Sequence, residues 1–445
     1  MPEPFGFDSY RHFQPLQYHL YGSLAPSRKG LAPDERTSHD LFMADDLREQ
    51  LTKKQEAVLQ TLQNSNLPTT LHSYHSLVPL DLQLERSTRV FGYQTYAYKA
   101  TSKHDGNKYC LRRVEGFRLQ SEASITLVQK WRKVRCASVV EVREAFTSKA
   151  FTGDSIVFVY AYHPLSSTLY EKHFRQRKPC PETVLWSYLS QLYNALRAIH
   201  ACGLACRLLD LTKILVTEKN RIRINCCGML DVLQYDPYAD IKYLQAMDLT
   251  LAAALVLGLA LNDPEVWPDA QFNFDLTTRG YSSQLNDFMH LVLEDADNGC
   301  SLSLDAVLGH LGSASLESMD AALSYNDTLE SELATATENG RLVRLLCKFG
   351  FINERPEFEH DPAWSETGDR YLLKLFRDYV FHQVNERGQP VLDLGHVLAC
   401  LNKLDAGIEE RVMLISRDET SSIVASYREL RQLAESAFNE LRRRS

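Results

Sequence analysis

The spacing of apolar side chains changes several times along the chain, and each change predicts a different element. Between residues 45 and 62, apolar side chains recur at near-helical spacing, which predicts one amphipathic helix. Between residues 76 and 120, short apolar or β-branched runs alternate with turn residues. Two of these runs, residues 90–100 and 109–114, flank the turn sequence Lys103-His104-Asp105-Gly106, which predicts a β-hairpin.

Helical and extended patterns alternate over the next hundred residues. Helical spacing predicts helices at residues 125–134 and 184–200, and apolar runs predict strands at 155–162, 214–217 and 221–225. The first forty residues are rich in proline, glycine and aromatic side chains without a period, which predicts an extended arm. We therefore expect an arm with one amphipathic helix over residues 1–75, and a small sheet domain followed by a helical one over residues 76–312.

A heptad pattern between residues 313 and 350 predicts a short coiled coil and self-association. The pattern contains small and polar residues that weaken it, because Asn326 fixes register at a cost in stability and Gly340 invites a kink. The alternative is a helix packed on its own domain. The candidate dimerisation residues are Met319, Ala322, Asn326, Leu329, Leu333, Ala336 and Val343.

Residues 351–445 are expected to form a compact, mainly helical knob. Pro356 ends the preceding helix, and helical spacing returns at residues 371–384 and 421–441. Its aromatic side chains belong to the core by default, but a domain this small can leave some of them exposed to a partner. The candidate partner-binding residues are Trp364, Tyr371, Phe376, Tyr379 and Phe381.

Composition narrows the protein class. A length of 445 residues with 44% hydrophobic residues fits two or three ordinary globular domains. The net charge of −8 argues against a chain that coats nucleic acid everywhere, although the basic strip at residues 130–135 could contact phosphates. The ten cysteines form no paired C-x-x-C sets, so we expect reduced thiols and no metal site. We see no membrane helix or signal peptide and expect a cytoplasmic protein.

One stretch carries the chemistry. Residues 199–216 align without gaps with the protein-kinase run l-H-x-x-g-I-v-H-R-D-L-K-P-x-N-I-L-v. Leu208 replaces the catalytic base, Lys213 replaces the metal-binding asparagine, and Cys226 replaces the magnesium-binding aspartate of D-F-G. Leucine accepts no proton, lysine repels a cation, and a neutral thiol is a poor magnesium ligand. The chain thus resembles a protein kinase, an α+β bilobal fold, without catalytic residues.

A protein of this fold can keep its nucleotide slot after losing its catalytic residues, because the slot is formed by apolar walls and by backbone groups of the hinge between the lobes. Of the glycines in the Gly-rich loop only Gly92 is present, Arg112 replaces the strand lysine, and Glu122 is more than a turn from the helix position that should pair with it. We expect ATP to be bound and not hydrolysed, and we do not assign it a bound magnesium ion. The alternative is that the chain's own side chains, above all Tyr160, fill the slot. The candidate nucleotide-binding residues are Val90, Gly92, Thr95, Cys110, Arg112, Tyr160, Tyr162, His163 and Leu215.

Further segments, in order, complete a resemblance to one family. They include Tyr18-His19-Leu20-Tyr21, Tyr74-His75-Ser76-Leu77-Val78-Pro79-Leu80 and Asn353-Glu354-Arg355-Pro356-Glu357. Together with the degenerate kinase motifs, they resemble the pseudokinase, regulatory subunit of the poly(A)-specific nuclease deadenylation complex. This resemblance implies a homodimer joined by the coiled coil, ATP in the pseudokinase, and a C-terminal knob that grips the catalytic exonuclease and brings it to mRNA poly(A) tails.

The resemblance also leaves some functions open. Family members carry an N-terminal CCCH zinc finger and a short motif for poly(A)-binding protein, neither of which is visible in this sequence. Some relatives accept tryptophans from silencing proteins with glycine-tryptophan repeats. Two alternatives to the scaffold remain: an adaptor that binds poly(A) RNA on its own, and an atypical active kinase that depends on Arg112.

Overall fold

The computed structural model describes residues 42–62, 66–81, 88–119, 121–151, 153–175, 179–265, 274–297, 303–362, 368 and 370–444. Most of the predicted N-terminal arm, and Trp364, therefore lie outside the described residues. The chain divides into two compact units, one of residues 50–323 and one of residues 1–49 with 324–445.

The first unit begins with a sheet and one supporting helix. Helix α1 (Asp45–Leu59), predicted over residues 45–62, contributes its residues from 50 onward to this unit. Six antiparallel strands follow in the spatial order β1-β2-β3-β4-β6-β5, and their ranges are β1 (Thr70–Leu71), β2 (Tyr74–Pro79), β3 (Thr95–Ser102), β4 (Lys108–Glu115), β5 (Val142–Ser148) and β6 (Ser155–Ala161). The β3–β4 pair confirms the predicted hairpin. Helix α2 (Glu122–Trp131) starts at Ser121, whose side chain accepts a hydrogen bond from the Ala123 amide.

The second lobe of this unit is mainly helical, as predicted. Its elements are β7 (Ser167–Thr168), α3 (Leu169–His173), α4 (Glu182–Ala201), β8 (Ile214–Val216), β9 (Ile222–Ile224), α5 (Met229–Leu233), α6 (Ile241–Leu261), α7 (Ser283–Asp297) and α8 (Leu304–His310). Strands β7, β8 and β9 form a small antiparallel sheet. One apolar core joins α2, β4 and β6 of the first lobe to α4 and α6 of the second, so the two lobes share a cleft.

Helix α6 is more apolar than we expected of any segment from the sequence. By length and composition alone it is apolar enough to cross a membrane. Most of it is buried in the lobe, however, and the core helix of a globular domain passes the same test. Its N-terminus is capped by Asp240, which accepts hydrogen bonds from the amides of Lys242 and Tyr243.

The second unit is built on the long helix α9 (Gly312–Phe358), which contributes its residues from 324 onward. The other elements are α10 (Tyr371–Phe381), α11 (Leu394–Ala406), β10 (Arg411–Ile415), β11 (Ser422–Ser426) and α12 (Tyr427–Arg444). Helix α9 does not stop at Pro356 as predicted but continues to Phe358. Proline removes one hydrogen bond, to the carbonyl four residues earlier, and so close to the end the helix has few more to lose.

A second difference concerns residues 421–441, which were expected to form one helix. The first part of this segment is strand β11, which pairs in register with β10, and only the rest belongs to α12. Ala425 is buried in the core of the knob, so pairing and burial together outweigh the helical spacing. The hairpin of β10 and β11 was missed in the sequence.

Candidate functional site

The strands of the first lobe point several candidate residues into the cleft. Successive side chains of a strand point to opposite faces, so Cys110 and Arg112 of β4 lie on one face. Cys110 stands opposite Tyr160 of β6 and packs on the core shared by the two lobes. Leu111 belongs to the separate core on the other face of the sheet. Arg112 therefore faces the second lobe.

Arg112 has unused hydrogen-bonding capacity. Its Nη1 donates a long hydrogen bond of 3.4 Å to Oγ1 of Thr95, and its Nε is buried without a partner. A buried donor with no acceptor costs about 1–3 kcal/mol. A phosphate oxygen in the cleft would satisfy this donor, and a guanidinium suits such an anion because it donates from several nitrogens in one plane. The arginine at this position therefore fits the phosphate end of a nucleotide.

A second cation approaches from the other lobe. Burial, and then the charge of Arg112, lower the pKa of Lys213, so the two cations lie close enough to repel each other. The Nζ atom of Lys213 is 5.8 Å from the ring centroid of Phe91, which is buried. Gly92 follows Phe91 with a φ of +73°, a conformation that favours glycine. Two positive charges thus converge where a kinase holds metal-bound phosphates.

The groups that phosphoryl transfer needs are missing from this cleft. Leu208 is buried, and burial raises the pKa of the Cys226 thiol, so this side chain is a neutral thiol. No group of three or more His, Cys, Asp or Glu side chains able to hold a metal occurs among the described residues. Glu122 begins α2 and is exposed, and within the described part of the chain no carboxylate from α2 is paired with Arg112.

Among the predicted lining residues of the nucleotide slot, Tyr160 is the most deeply buried. Tyr160 is 1% exposed, and its hydroxyl donates a 3.0 Å hydrogen bond to the Cys227 carbonyl, so this residue is an inner wall. Burial raises the pKa of Cys110 to about 12. Burial and two nearby arginines lower the pKa of His163 to about 4, so its imidazole is neutral at pH 7. The partly exposed members of the predicted lining are Val90, Cys110, Arg112, Tyr162, His163 and Leu215.

Lys99 is a residue that sequence reasoning missed. It is 2% exposed, and its Nζ donates to three carbonyls at the end of α1, those of Ala57 (2.6 Å), Val58 (3.1 Å) and Gln60 (2.6 Å). These carbonyls lie where a helix lacks intrahelical donors. The same Nζ lies 6.0 Å from the ring centroid of Tyr162, so α1 ends near this predicted lining residue. The only sequence signal was a lysine at an inward strand position, and its partners lie about forty residues away.

The scaffold of the former catalytic loop is intact. Asp248 of α6 is fully buried and accepts hydrogen bonds from the amides of Cys206 (2.6 Å) and Arg207 (2.7 Å). Its Oδ2 also lies 2.9 Å from Nε2 of His200. Arg207 adopts a φ of +61°, which this pair of hydrogen bonds holds in place. The loop is therefore kept in shape although its catalytic aspartate is a leucine.

Helix α9 presents two different sides. Glu332, Thr335 and Leu342 are buried within the second unit. Of the predicted dimerisation residues, Met319, Ala322, Asn326, Leu333 and Val343 are exposed, whereas Leu329 and Ala336 are partly buried. The exposed fractions of Met319, Leu333 and Val343 are 54%, 66% and 58%, and Leu316 and Leu323 of the same helix are exposed as well.

The knob places its predicted partner-binding residues unequally. Phe376 is 1% exposed and packs against Phe349 and Tyr427 in the core, so its prediction as a contact residue was wrong. A large aromatic ring is the natural centre of so small a core. Tyr371 and Tyr379 are partly buried, Phe381 is 38% exposed, and Trp364 lies outside the described residues.

One exposed apolar face of the knob lies on the hairpin of β10 and β11, while Val384 and Leu392 are exposed elsewhere on the knob. Met413, Ile415 and Val424 have exposed fractions of 56%, 49% and 58%, and Met413 pairs directly with Val424. Val412 and Leu414, which alternate with them, face the core. A short hairpin in a window of mixed spacing left no clear signal for this face in the sequence.

Known proteins resemble nearly the whole chain. The family model described as the Pan3 C-terminal knob domain matches residues 304–441. A curated protein of Coccidioides immitis, named PAN2-PAN3 deadenylation complex subunit PAN3, is 48% identical over 438 residues, which cover 96% of this chain and 67% of that protein. The protein of the same name from Aspergillus oryzae is 48% identical over 436 residues, covering 96% and 66%. The chain thus spans about two thirds of the length of these curated relatives.

Solved structures give the same likeness in three dimensions. The Neurospora crassa PAN3 pseudokinase is 41% identical, with a TM-score of 0.76, and the match covers 90% of this chain and 100% of that one. The PAN3 pseudokinase of Drosophila melanogaster is 44% identical, with a TM-score of 0.74, covering 84% and 99%. A complex of Neurospora crassa PAN2 (WD40-CS1) with PAN3 contains a chain that is 40% identical, with a TM-score of 0.80, covering 90% and 100%.

Proposed function

This chain belongs to the family of PAN3 subunits of the PAN2-PAN3 deadenylation complex, and on that premise we propose that it is a cytoplasmic scaffold that binds ATP without hydrolysing it, forms a homodimer and brings the catalytic exonuclease to mRNA poly(A) tails. It is a pseudokinase and not an enzyme. The observation that carries the proposal is the cleft itself, in which Leu208, Lys213 and Cys226 replace the groups that phosphoryl transfer needs while Arg112 retains a buried, unpartnered donor.

Nucleotide binding needs no metal in this proposal. In an active kinase, magnesium neutralises the phosphates. Here Arg112 would hold the phosphate oxygens, and the Lys213 ammonium would supply positive charge near the position of the metal-binding asparagine. Val90, Tyr162, His163 and Leu215 would line the adenine end, in front of Tyr160.

Calorimetric titration of the full chain with ATP, in magnesium and in EDTA, tests this part. We expect similar affinity in both buffers. Arg112→Ala should weaken binding about tenfold or more, since hydrogen bonds to charged groups are worth about 1.5–3 kcal/mol. The matched control is Arg118→Ala, which removes an exposed arginine of the same lobe that pairs with Asp154. No binding in either buffer would refute the ATP claim, and binding only with magnesium would refute the role given to Lys213.

Homodimerisation is supported by the apolar side of α9. A second copy of the helix would cover Leu333 and Val343 of the second unit, whose exposure costs free energy in the isolated chain. Leu333→Glu should therefore lower the molar mass measured by light scattering from that of a dimer to that of a monomer. Thr328→Glu, an equal charge change at an exposed position off the predicted seam, should leave the mass unchanged. A monomeric wild type, or equal effects of both variants, would contradict the proposal.

The exonuclease contact is assigned to the knob. The Neurospora crassa relative is found in a complex with PAN2 (WD40-CS1), and the apolar hairpin face of Met413, Ile415 and Val424 supports a contact of this chemistry here. Met413→Glu should reduce co-purification with a co-expressed PAN2 subunit. Gln389→Glu, an exposed position on a turn of the same knob, serves as the charge-matched control. Undiminished capture by the Met413 variant would exclude this face.

Poly(A) RNA contact has its own support. Two further arginines lie near the residues that follow the basic strip at 130–135. Arg223 donates a 2.6 Å hydrogen bond to the carbonyl of Ala137. Arg197 donates a hydrogen bond to Asn194, whose side-chain amide lies 3.8 Å from the Cys136 sulfur. Arg197→Glu should weaken binding of an oligo(A) probe and reduce the salt dependence of its affinity. Arg118→Glu is the control. Binding as tight without the exonuclease as with it would favour the alternative of a free-standing RNA adaptor.

A further inference from the structure

Asp231 connects two parts of the pseudokinase that are distant in sequence. It lies in α5, three residues after Gly228 of the degenerate D-F-G position. Its Oδ1 is 3.2 Å from Nη1 of Arg207, and its Oδ2 accepts a 2.6 Å hydrogen bond from Nε1 of Trp131. Trp131 is the last residue of α2 and is 1% exposed. One carboxylate thus ties the end of α2 to the former catalytic loop.

The segment containing Asp231 stands where an active kinase has its activation segment. In many kinases that segment is ordered only after phosphorylation, when the new phosphate pairs with arginine, and this step controls the position of the helix that corresponds to α2. Arg207 is the arginine of the degenerate H-R-D triplet. Here its guanidinium is already occupied by Asp231, and its Nη2 donates to Gln234 (3.2 Å).

A second contact holds the same helix. Gly228 has a φ of +79°, and a Cβ placed on it would lie only 2.8 Å from Cδ1 of Trp131. The indole ring therefore rests directly on the backbone of the degenerate D-F-G position. Val128 and Trp131 also belong to the core that includes Val114 of β4, the strand that carries Arg112. The position of α2 thus bears on the strand that faces the cleft.

We propose that Asp231 is a built-in substitute for an activating phosphate, a positioning residue that keeps α2 docked so that the nucleotide cleft is formed without any modification. The carboxylate makes in one step the arginine and helix contacts that a kinase gains by phosphorylation. This proposal rests on the proposed binding of ATP for its functional consequence. The docking of α2 itself does not depend on a nucleotide.

The test uses the full chain and three variants. Asp231→Asn keeps the size of the side chain but replaces one oxygen by an NH2 group, which then faces one of the two donors, Arg207 Nη1 or Trp131 Nε1. Trp131→Phe keeps an aromatic ring near Gly228 and removes the donor together with part of the buried indole. Asp236→Asn is the matched control, because Asp236 is an exposed acid of the same segment that bonds only the Tyr238 amide among its described partners. Asp231→Glu is the conservative variant expected to restore the carboxylate contacts.

Two measurements are made on each variant. Hydrogen exchange of residues 122–134 without nucleotide reports on the docking of α2, and calorimetry reports the affinity for ATP. For Asp231→Asn and Trp131→Phe we expect faster exchange and ATP affinity lower by about fivefold or more, as is usual for coupled sites. Asp236→Asn and Asp231→Glu should behave like the wild type. Phosphatase treatment of the wild type should change neither measurement.

The outcomes separate this proposal from the proposed function. If the wild type does not bind ATP, the exchange measurement alone decides whether Asp231 docks α2. Unchanged exchange in Asp231→Asn would overturn the proposal whatever the affinity. Exchange could also become faster over the whole first unit, beyond residues 122–134, in both Asp231→Asn and Trp131→Phe. That result would show general destabilisation and would also overturn the proposal. A wild type whose α2 becomes protected only after phosphorylation would contradict it directly.

Discussion

The buried carboxylate of Asp248 offers a quantitative test of the pseudokinase scaffold. It accepts hydrogen bonds from the amides of Cys206 and Arg207 at 2.6 and 2.7 Å and contacts His200 at 2.9 Å. Asp248→Asn replaces one acceptor by an N–H group that must face a donor. A lost hydrogen bond to a charged group, together with a buried amide left unpaired, should cost about 3–5 kcal/mol. That is a large part of a typical folding free energy of about 5–15 kcal/mol.

Thermal unfolding and hydrogen exchange measure this effect. For a domain of this size each kcal/mol shifts the midpoint by about 2–4 °C, so we expect a fall of roughly 10 °C. Exchange should accelerate most at the Cys206 and Arg207 amides. The control is Asp236→Asn, an exposed aspartate of the same lobe. A free energy of unfolding within about 0.5 kcal/mol of that of this control would refute the reasoning, because such a change is ordinary for surface substitutions.

Three further predictions concern single residues. Gly228→Ala should destabilise the fold by about 2 kcal/mol or more, because Gly228 has a φ of +79° and a tryptophan packs against it. Gly106→Ala is the control: Gly106 has a φ of +70° but open space around it, so this change should cost only about 1–2 kcal/mol. Equal losses of stability in thermal unfolding would exclude the tryptophan contact. Lys99→Met should make α1 more susceptible to limited proteolysis, because the hydrogen bonds from Lys99 to the end of this helix are lost. Lys54→Met is the control, since it removes only a 3.4 Å ion pair with Glu218 in the loop after β8. Unchanged cleavage of α1 in Lys99→Met would contradict the role of Lys99 in holding this helix. The pKa of His163 is lowered to about 4, so the unfolded chain binds the extra proton between pH 6.5 and 4, and the free energy of unfolding should fall as the pH falls through that range. The fall should be less steep in His163→Gln, where His173, whose pKa burial also lowers, still contributes.

Local patterns predicted the elements whose signals lie within the elements themselves. The hairpin of β3 and β4 follows from its turn sequence, and α4 follows from its unbroken apolar stripe. The degenerate catalytic loop was found because Arg207 and its neighbours keep their order although Leu208 has lost the chemistry. The hairpin of β10 and β11 was missed, because its five-residue strands gain their stability from each other and from burial of Ala425.

Long-range contacts explain the other omissions. Lys99 binds carbonyls about forty residues earlier, and Asp231 binds a tryptophan 100 residues earlier, so no spacing rule connects either residue to its partner. Phe376 was placed among the contact residues because composition cannot distinguish an aromatic core from an aromatic surface. The structure separates the two by burial, and it shows Met413 and Val424 among the exposed apolar residues of the knob.

The replacement of the catalytic groups by Leu208, Lys213 and Cys226 also changes the kind of signal that the cleft can carry. A nucleotide switch that hydrolyses its ligand is driven away from equilibrium and resets itself at a rate set by chemistry. A cleft that returns its ligand unchanged has an occupancy set only by concentration and dissociation constant. Its bound fraction then adds a stabilising free energy that grows with the logarithm of nucleotide concentration, about 2.7 kcal/mol at a hundredfold excess over Kd. The fraction of such a subunit that has nucleotide bound would follow the cell's adenine nucleotide concentration continuously.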